Sequence, residues 1–111
     1  MTPAEVQARQ MSEEDLSRNV ARLSAVFGWD VRYHTHDSRR SASGFPDWVF
    51  ARSRDGRLLF VELKTETGAL SAAQRLVIDT LEAVAQATGA VGVHVWRPRD
   101  WISGHIEEVL R

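Results

Sequence analysis

With 111 residues, the chain has the length of one ordinary domain, which can bury a sizeable core without disulfides or a structural metal. Its 43% hydrophobic and 26% charged residues are typical of a soluble globular protein, and no apolar run approaches the roughly 20 residues that cross a bilayer. The formal net charge of −1 argues against nucleic-acid binding by global positive charge, and the absence of cysteine excludes disulfides and thiolate chemistry. We therefore expect a soluble, cytoplasmic protein with no membrane partner.

Two segments precede the first predicted strand. Residues 1–11 lack the apolar run of a secretory signal and are expected to form an N-terminal tail or a short extra helix. Residues 12–27 combine the N-cap Ser12, an acidic first turn and apolar residues at helical spacing, which predicts an amphipathic helix that ends at Gly28. A single domain is expected to run from this helix over residues 12–111.

Three strands are predicted in the middle of the chain. The stretch "WDVRYHTH" alternates Trp29, Val31 and Tyr33 with polar residues, as a half-buried strand does. A small, polar and basic loop, "DSRRSASG", follows it. The runs "DWVFAR" and "RLLFVELK" are rich in strand formers, and the Asp55-Gly56 pair between them predicts a hairpin with a two-residue turn.

A helix, a fourth strand and a short closing helix complete the predicted domain. Ser71 is the N-cap of a helix that runs to about Thr88. The apolar face of this helix is expected to contain Leu76, Val77, Leu81, Val84 and Ala85. The strand "AVGVHVWRP" follows, and a short helix broken or started near Gly104 closes the chain. The fold class is α/β, with a mixed sheet flanked by helices in the order α-β-β-β-α-β and a parallel right-handed crossover before the last strand.

Three charged residues of the hairpin are expected on one face of the sheet. Glu62 and Lys64 are two residues apart on one strand and therefore point the same way. A two-residue turn would place Asp47 opposite Lys64 and Val49 opposite Glu62. Two neighbouring carboxylates repel each other unless a proton or a cation lies between them, and Mg²⁺ accepts such oxygens. The hairpin thus predicts a divalent-metal site at Asp47 and Glu62.

Lys64 is the one lysine in a chain with thirteen arginines. Arginine keeps its proton at all ordinary pH values, so Lys64 is the one side-chain ammonium that can take part in proton transfer. A solvated Glu-x-Lys edge on an unrelated α/β domain is the alternative interpretation. Asp47 and Glu62 lie within or next to long apolar runs, where a charge is costly unless it is paired or bound to a metal. Their position therefore favours the metal site over the solvated edge.

These segments resemble the small stand-alone VRR-NUC nucleases of phages and bacteria, which belong to the PD-(D/E)xK superfamily and are related to Holliday junction resolvases. The matching stretches are "SEEDL", "YHTHDSRRSASGFPDWVF", "LLFVELKTETGALSAAQ" and "VHVWRPRDW", which lie within residues 12–102. The resemblance implies a DNA endonuclease that uses Mg²⁺ or Mn²⁺, acts as a homodimer and prefers branched DNA such as junctions or flaps. It also implies the cytoplasm of a bacterial or phage-infected cell.

The resemblance also assigns roles to individual residues. Asp47, Glu62 and the backbone carbonyl of Leu63 would hold the metal, while Lys64 would orient or deprotonate the attacking water. Gln74 would brace the site or contact phosphate. The acidic residue of the first helix would be Glu13, with Glu14 as the competing choice and Asp15 in place of a frequent glutamate.

The loop before the site carries the expected DNA contacts. Arg39 and Arg40, with Ser38 beside them, suit phosphate binding, and the resemblance gives His34 a similar role at the end of its strand. Zinc binding by His34, His36 and Asp37, and an exposed histidine pair without a function, are the alternatives for these histidines. The large aromatic residues Trp48, Trp96 and Trp101 are expected in the core or an interface rather than in base stacking. His94 and His105 have no assigned role.

One other functional class remains open from the sequence. A non-catalytic nucleic-acid-binding or assembly module could retain the nuclease fold, and a near-neutral net charge is compatible with it. Divalent-metal dependence of DNA cleavage separates the two possibilities.

Overall fold

A computed structural model describes residues 1–35 and 42–111 of the chain. The elements are α1 (Pro3–Gln10), α2 (Glu13–Val26), β1 (Val31–His34), β2 (Trp48–Arg52), β3 (Arg57–Leu63), α3 (Ala72–Thr88), β4 (Val91–Trp96), α4 (Pro98–Ile102) and α5 (His105–Leu110). The predicted α/β class, with a mixed four-stranded sheet flanked by helices, is confirmed. Within the described ranges no helix combines the length and hydropathy that a membrane span requires.

The sheet has the order β1-β2-β3-β4. β2 is antiparallel to both β1 and β3. β3 and β4 are parallel and are joined through α3, which agrees with the predicted parallel connection. α2 packs against β1, β3 and α5, and α3 packs against β4. Ile106 and Leu110 of α5 belong to the same apolar cluster as Leu16 and Val20 of α2. The core cluster is formed by side chains of α2, α5 and the sheet. It contains Leu16, Val20, Trp29, Trp48, Phe50, Leu59, Val61, Leu63, Trp96, Ile106 and Leu110.

The hairpin register differs from the predicted one. Trp48 pairs with Val61, and Val49 pairs with Phe60. The connection between the strands is a four-residue segment, a 3₁₀ turn at Ser53–Asp55 followed by Gly56 in the left-handed conformation, instead of a two-residue turn.

The register shift changes which charged residues face each other. The predicted pairings of Asp47 with Lys64 and of Val49 with Glu62 are wrong, and continuation of the observed register places Asp47 opposite Glu62. Because the shift is two residues and side chains alternate with a period of two, no side chain changes face. The expected grouping of Asp47, Glu62 and Lys64 on one face therefore does not depend on the turn.

Two predicted apolar faces are wrong in part. Val31 and Tyr33 on β1 are 49% and 60% exposed, and Leu76 and Val84 on α3 are 69% and 49% exposed. A helix about 10 Å wide covers roughly two strands spaced about 4.8 Å apart, so α3 on β4 leaves the outer face of β1 open. The buried side of α3 instead contains Ile78.

A buried arginine ties the hairpin to two helix ends. Arg52 is 3% exposed, and its guanidinium binds both carboxylate oxygens of Asp55 at 3.0 and 2.8 Å. Its Nη atoms also donate to the carbonyl oxygens of Phe27, Leu110 and Arg111 at 3.0–3.1 Å. A positive charge at the carboxyl ends of α2 and α5 is favourable because unpaired carbonyls collect there.

Candidate active site

The segment that leads into β2 is fixed against the first turn of α3. Gly44 has φ of +82°, and a Cβ atom at this position would lie 2.4 Å from the backbone carbonyl group of Ala73. Only glycine fits such a close approach in this backbone conformation. Phe45 then packs edge-on against Phe60 of β3, with ring centroids 6.0 Å apart. The Gly-Phe sequence thus anchors the chain immediately before the candidate site.

Asp47 is held by hydrogen bonds to two neighbouring segments. The Thr35 backbone N–H donates to the Asp47 carbonyl oxygen at 2.8 Å, and the Thr35 hydroxyl donates to the carbonyl of Pro46 at 2.6 Å. On the other side, the Leu63 backbone N–H donates to Asp47 Oδ2 at 2.8 Å. The carboxylate is therefore fixed at the end of β3, beside Glu62.

Glu62 is a buried carboxyl group without a full set of partners. The residue is 2% exposed, and its Oε2 atom has no hydrogen-bond partner among residues 1–35 and 42–111. Burial, followed by a hydrogen bond with Asp47 and the charge of Asp47, raises the pKa of Glu62 to about 9, while the Lys64 charge opposes the shift. Without a cation, Glu62 is therefore protonated at neutral pH.

Lys64 leaves the sheet directly after β3. Its backbone N–H donates to the carbonyl of Trp96 at 3.0 Å, which extends the β3–β4 ladder by one bond. Its aliphatic stem passes over Gly68, where an added Cβ would lie 3.8 Å from Lys64 Cδ. Among residues 1–35 and 42–111, no ion pair within 4 Å includes the Lys64 ammonium. The ammonium is thus close enough to lower the pKa of Glu62 through its charge, and it forms no salt bridge with a described carboxylate.

An open cleft of about 500 Å³ lies beside Asp47, between α2 and the ends of three strands. Its lining residues are Glu13, Glu14, Ser17, Arg18, Ala21, His34, Asp47, Trp48 and Leu63. The structure therefore brings Glu13, Glu14 and His34 to the same cleft as Asp47. The cleft is rich in carboxylates, so a nucleic acid would need cations to approach it.

The three acidic residues at the start of α2 differ in their surroundings. Asp15 forms a capping box with Ser12 and pairs with Arg18, and the hydrogen bonds from Ser12 hold the pKa of Asp15 below its usual range. Glu14 pairs with Arg18 at 3.3 Å. Glu13 lines the cleft and has no ion pair among the described residues. The local contacts thus leave Glu13 as the least constrained of the three.

An aromatic stack forms one wall of the cleft. The His34 ring stacks on Trp48 with centroids 4.5 Å apart, and Trp48 Nε1 donates to Ser17 Oγ at 2.9 Å. Trp48 is 7% exposed and Trp96 is 1% exposed, in keeping with the expected core positions, and Trp101 packs against the core. The contact of Trp48 with α2 was not predicted, because no short-range pattern links Ser17 to a residue 31 positions later.

Several predicted site residues lie elsewhere. The Gln74 side chain accepts a hydrogen bond from the Ser71 backbone N–H at 2.9 Å in the capping box of α3, and Gln74 does not line the cleft. Ser38, Arg39 and Arg40 lie outside the described residues. His36 and Asp37 do as well, so the zinc alternative has no described ligand set beyond His34.

The carboxylate pair fits a hard divalent cation. Glu62 Oε2 is a buried oxygen without a hydrogen-bond partner in the described part of the chain, and Asp47 lies beside it with a second carboxylate. Within residues 1–35 and 42–111 no cluster of three or more His, Cys, Asp or Glu side chains is suited to a metal ion. Mg²⁺ commonly binds through one or two carboxylates and retains several waters, so a two-carboxylate site is sufficient for it.

A mixed sheet with two carboxylates and a lysine at adjacent strand ends is the arrangement of a PD-(D/E)xK-type nuclease. The family model described as "VRR-NUC domain" matches residues 2–94. The chain therefore belongs to the VRR-NUC family, as the resemblance of its motifs predicts. No curated protein and no solved structure matches it.

Proposed function

We propose that this nuclease-family protein is a Mg²⁺- or Mn²⁺-dependent endonuclease that hydrolyses phosphodiester bonds in DNA. The observation that carries the proposal is the buried Glu62 next to the partly exposed Asp47, with a Glu62 oxygen that has no hydrogen-bond partner among the described residues, beside the one lysine of the chain. A buried Glu62 carboxylate next to the Asp47 carboxylate is costly without a cation and becomes favourable when a divalent cation binds both. We infer that this cost is retained because the pair binds metal.

Asp47 and Glu62 would hold the ion, with the Leu63 carbonyl as the third protein ligand that the family implies. When bound, the metal would make water more acidic and offset negative charge on the phosphate. Asp47 already has a fixed orientation through its hydrogen bond from Leu63, and its hydrogen bond with Glu62 would be replaced by the cation when Glu62 loses its proton. Glu62 would lose its proton as the cation binds.

Lys64 would act on the attacking water and on the phosphate. In the proposed step, a water oxygen forms a bond to phosphorus and gives up one proton to solvent, the opposite phosphorus–oxygen ester bond breaks, and the leaving oxygen takes up a proton from solvent. An ammonium near Glu62 can orient the water and stabilise the charge that develops on the phosphate oxygens. The freedom of Lys64 from salt bridges with described residues supports this role.

The remaining proposed contacts surround the cleft. Glu13 would contribute an acidic group from α2, and His34 would contact a phosphate beside Asp47. Ser38, Arg39 and Arg40 are proposed to contact the DNA backbone, on the strength of their charge and hydrogen-bonding groups. Gln74 would contact phosphate only after its side chain leaves the cap of α3. A preference for junctions or flaps is part of the proposal.

A panel of DNA substrates tests the proposed activity. Supercoiled, linear, flap and four-way-junction DNA are incubated with purified protein in Mg²⁺, in Mn²⁺ or in EDTA. We expect cleavage in Mg²⁺ or Mn²⁺ and none in EDTA. Lys64→Met should lower kcat by about 100-fold or more, because a preorganised positive group at the phosphate is lost. The exposed Arg75→Met, on α3, serves as the matched control and should retain activity.

Two outcomes would contradict the proposal. Undiminished cleavage by Lys64→Met would show that another group, or a contaminant, does the chemistry. Gel shifts that persist in EDTA and in Asp47→Asn, without cleavage of any substrate, would indicate a non-catalytic nucleic-acid-binding module instead.

We also propose that the protein acts as a homodimer, since a domain of this size has little surface with which to hold a junction. The exposed apolar side chains of Leu76 and Val84, one turn on either side of Thr80 on α3, support a contact between copies. Sedimentation velocity should give the mass of a dimer, and Leu76→Glu should shift it toward the monomer. A wild-type monomer at all working concentrations would contradict this proposal.

A further inference from the structure

A second arginine holds the turn that follows Lys64. Arg97 Nη1 donates to the carbonyl oxygens of Thr65 and Gly68, both at 2.7 Å, and lies 3.5 Å from the carbonyl of Glu66. The same turn contains a weak internal bond, from the Gly68 N–H to the Thr65 carbonyl at 3.3 Å. Hydrogen bonds from a charged donor are stronger than those between neutral groups. Arg97 is therefore the main constraint on this turn.

The backbone of Arg97 is itself well fixed. The last paired residues of the parallel strands are Leu63 and Trp96, so Lys64 and Arg97 leave the sheet side by side. The Arg97 N–H donates to Asp100 Oδ2 at 2.8 Å, and the Asp100 N–H donates to the Arg97 carbonyl at 2.8 Å, at the start of α4. The guanidinium thus reaches the turn from a rigid base at the start of α4.

A neighbouring ion pair supports the same segment. Glu66 is in the turn, and its carboxylate accepts hydrogen bonds from the Arg99 backbone N–H at 3.1 Å and from Arg99 Nε at 3.0 Å. The Glu66 side chain is 17% exposed. The start of α4 therefore holds both the backbone carbonyls and one side chain of the segment after Lys64.

The direction of the Lys64 side chain depends on this turn. Its ammonium makes no salt bridge with a described carboxylate, so the backbone and the aliphatic stem set its direction. The stem passes over Gly68, whose carbonyl Arg97 binds. We propose that Arg97 is a positioning residue that orients the Lys64 ammonium toward the metal site. This inference rests on the proposed nuclease function for its catalytic consequence, but not for its structural one.

The lone lysine permits a direct test. Reductive methylation with ¹³C-formaldehyde labels only the Lys64 amine and the α-amino group, so one side-chain signal reports on Lys64. In the wild-type protein this signal should be displaced from that of free dimethyl-lysine. Arg97→Met should move it toward the free position, whereas Arg75→Met, the matched control, should leave it in place. Arg97→Gln retains an N–H donor for the carbonyls, so its Lys64 signal should lie between those of the wild type and Arg97→Met. This intermediate position would distinguish a change in the Lys64 orientation from unfolding of the domain.

Kinetics of the unmethylated variants complete the experiment. Arg97→Met should lower kcat about 10- to 100-fold, as loss of supporting contacts around a metal site does, while KM and Mn²⁺ affinity change little. An unchanged Lys64 signal in Arg97→Met, or a moved signal with unchanged kcat, would overturn the inference. If the wild-type protein cleaves no DNA, the nuclease proposal fails, and the Lys64 signal still decides whether Arg97 orients the lysine.

Discussion

The carboxylate of Asp47 accepts a hydrogen bond from the backbone N–H of Leu63, so a candidate metal ligand also joins the start of β2 to the end of β3. The two roles can be separated by substitution. Asparagine keeps an acceptor oxygen but lacks the negative charge that a divalent cation requires. Alanine lacks both.

Asp47→Ala should therefore be less stable than Asp47→Asn. The alanine variant leaves the buried Leu63 N–H without a partner, which costs about 1–3 kcal/mol, whereas asparagine can keep the bond. Urea denaturation in EDTA measures the difference, and calorimetric titration should show that neither variant binds Mn²⁺. Equal stability of the two variants would mean that the hydrogen bond contributes nothing.

Glu62 should make the metal-free protein less stable as the pH rises. Its pKa is raised from the ordinary 4.5 to about 9, so between these values the folded protein binds more protons than the unfolded chain. The free energy of unfolding then falls as pH rises through this window. Denaturation in EDTA at several pH values measures the slope, and Glu62→Gln should flatten it. A slope that is the same in Glu62→Gln would assign the effect to other groups.

Metal binding should release a proton from Glu62. Because burial and Asp47 keep Glu62 protonated at neutral pH and a ligand must be deprotonated, about one proton should leave per bound ion. Calorimetric titration with Mn²⁺ in buffers of different ionisation enthalpy counts the protons. The apparent affinity should rise with pH up to about 9. Binding without proton release would exclude Glu62 as a ligand.

Gly44→Ala should disturb both stability and activity. An alanine Cβ would lie 2.4 Å from the backbone of Ala73, and φ is +82°. Gly89→Ala is the matched control, since φ there is +72° and nothing lies within 4 Å of the added Cβ. Both variants carry the cost of the left-handed conformation, about 1–2 kcal/mol, so any larger loss in Gly44→Ala measures the contact with α3. Thermal denaturation and DNA cleavage are measured for both variants. Equal losses in the two would contradict the predicted effect of the contact between Gly44 and α3.

Arg52→Met should destabilise the whole domain. The substitution removes the donors for Asp55 and for three carbonyl oxygens at the ends of α2 and α5, which should cost about 2–4 kcal/mol. Arg75→Met, which loses only an exposed pair with Asp79 at 4.0 Å, should cost about 0.5 kcal/mol or less. Urea denaturation measures both. A small effect at Arg52 would show that water replaces the lost bonds.

The composition of the site could be predicted from the sequence although the hairpin register could not. The connection between β2 and β3 includes Asp55, which Arg52 binds, and the Asp-Gly pattern does not reveal this contact. The predicted and observed registers differ by two residues, an even number, so Asp47 and Glu62 lie on the face of the sheet that was predicted for them. Periodicity is thus more robust than turn length as a guide to which side chains meet.

Burial on β1 and the roles of the arginines could not be predicted because they depend on distant contacts. Val31 and Tyr33 have the alternation of a half-buried strand, but α3 packs against the other edge of the sheet. The acceptors of Arg52 outside its own turn lie 25, 58 and 59 residues away along the chain. Those of Arg97 lie 29 to 32 residues away. Short-range patterns contain no information about such pairs.

The carbonyl of Leu110 accepts hydrogen bonds from Trp29 Nε1 and Arg52 Nη1, which precede it by 81 and 58 residues. During synthesis, the hairpin and α2 therefore cannot acquire their final contacts until Leu110 has left the ribosome. Before that moment the Arg52 guanidinium lacks its Leu110 and Arg111 acceptors, and the apolar side of the sheet lacks α5. Closure of the core should accordingly be a late step, and nascent chains that stop short of α5 should be targets for chaperones.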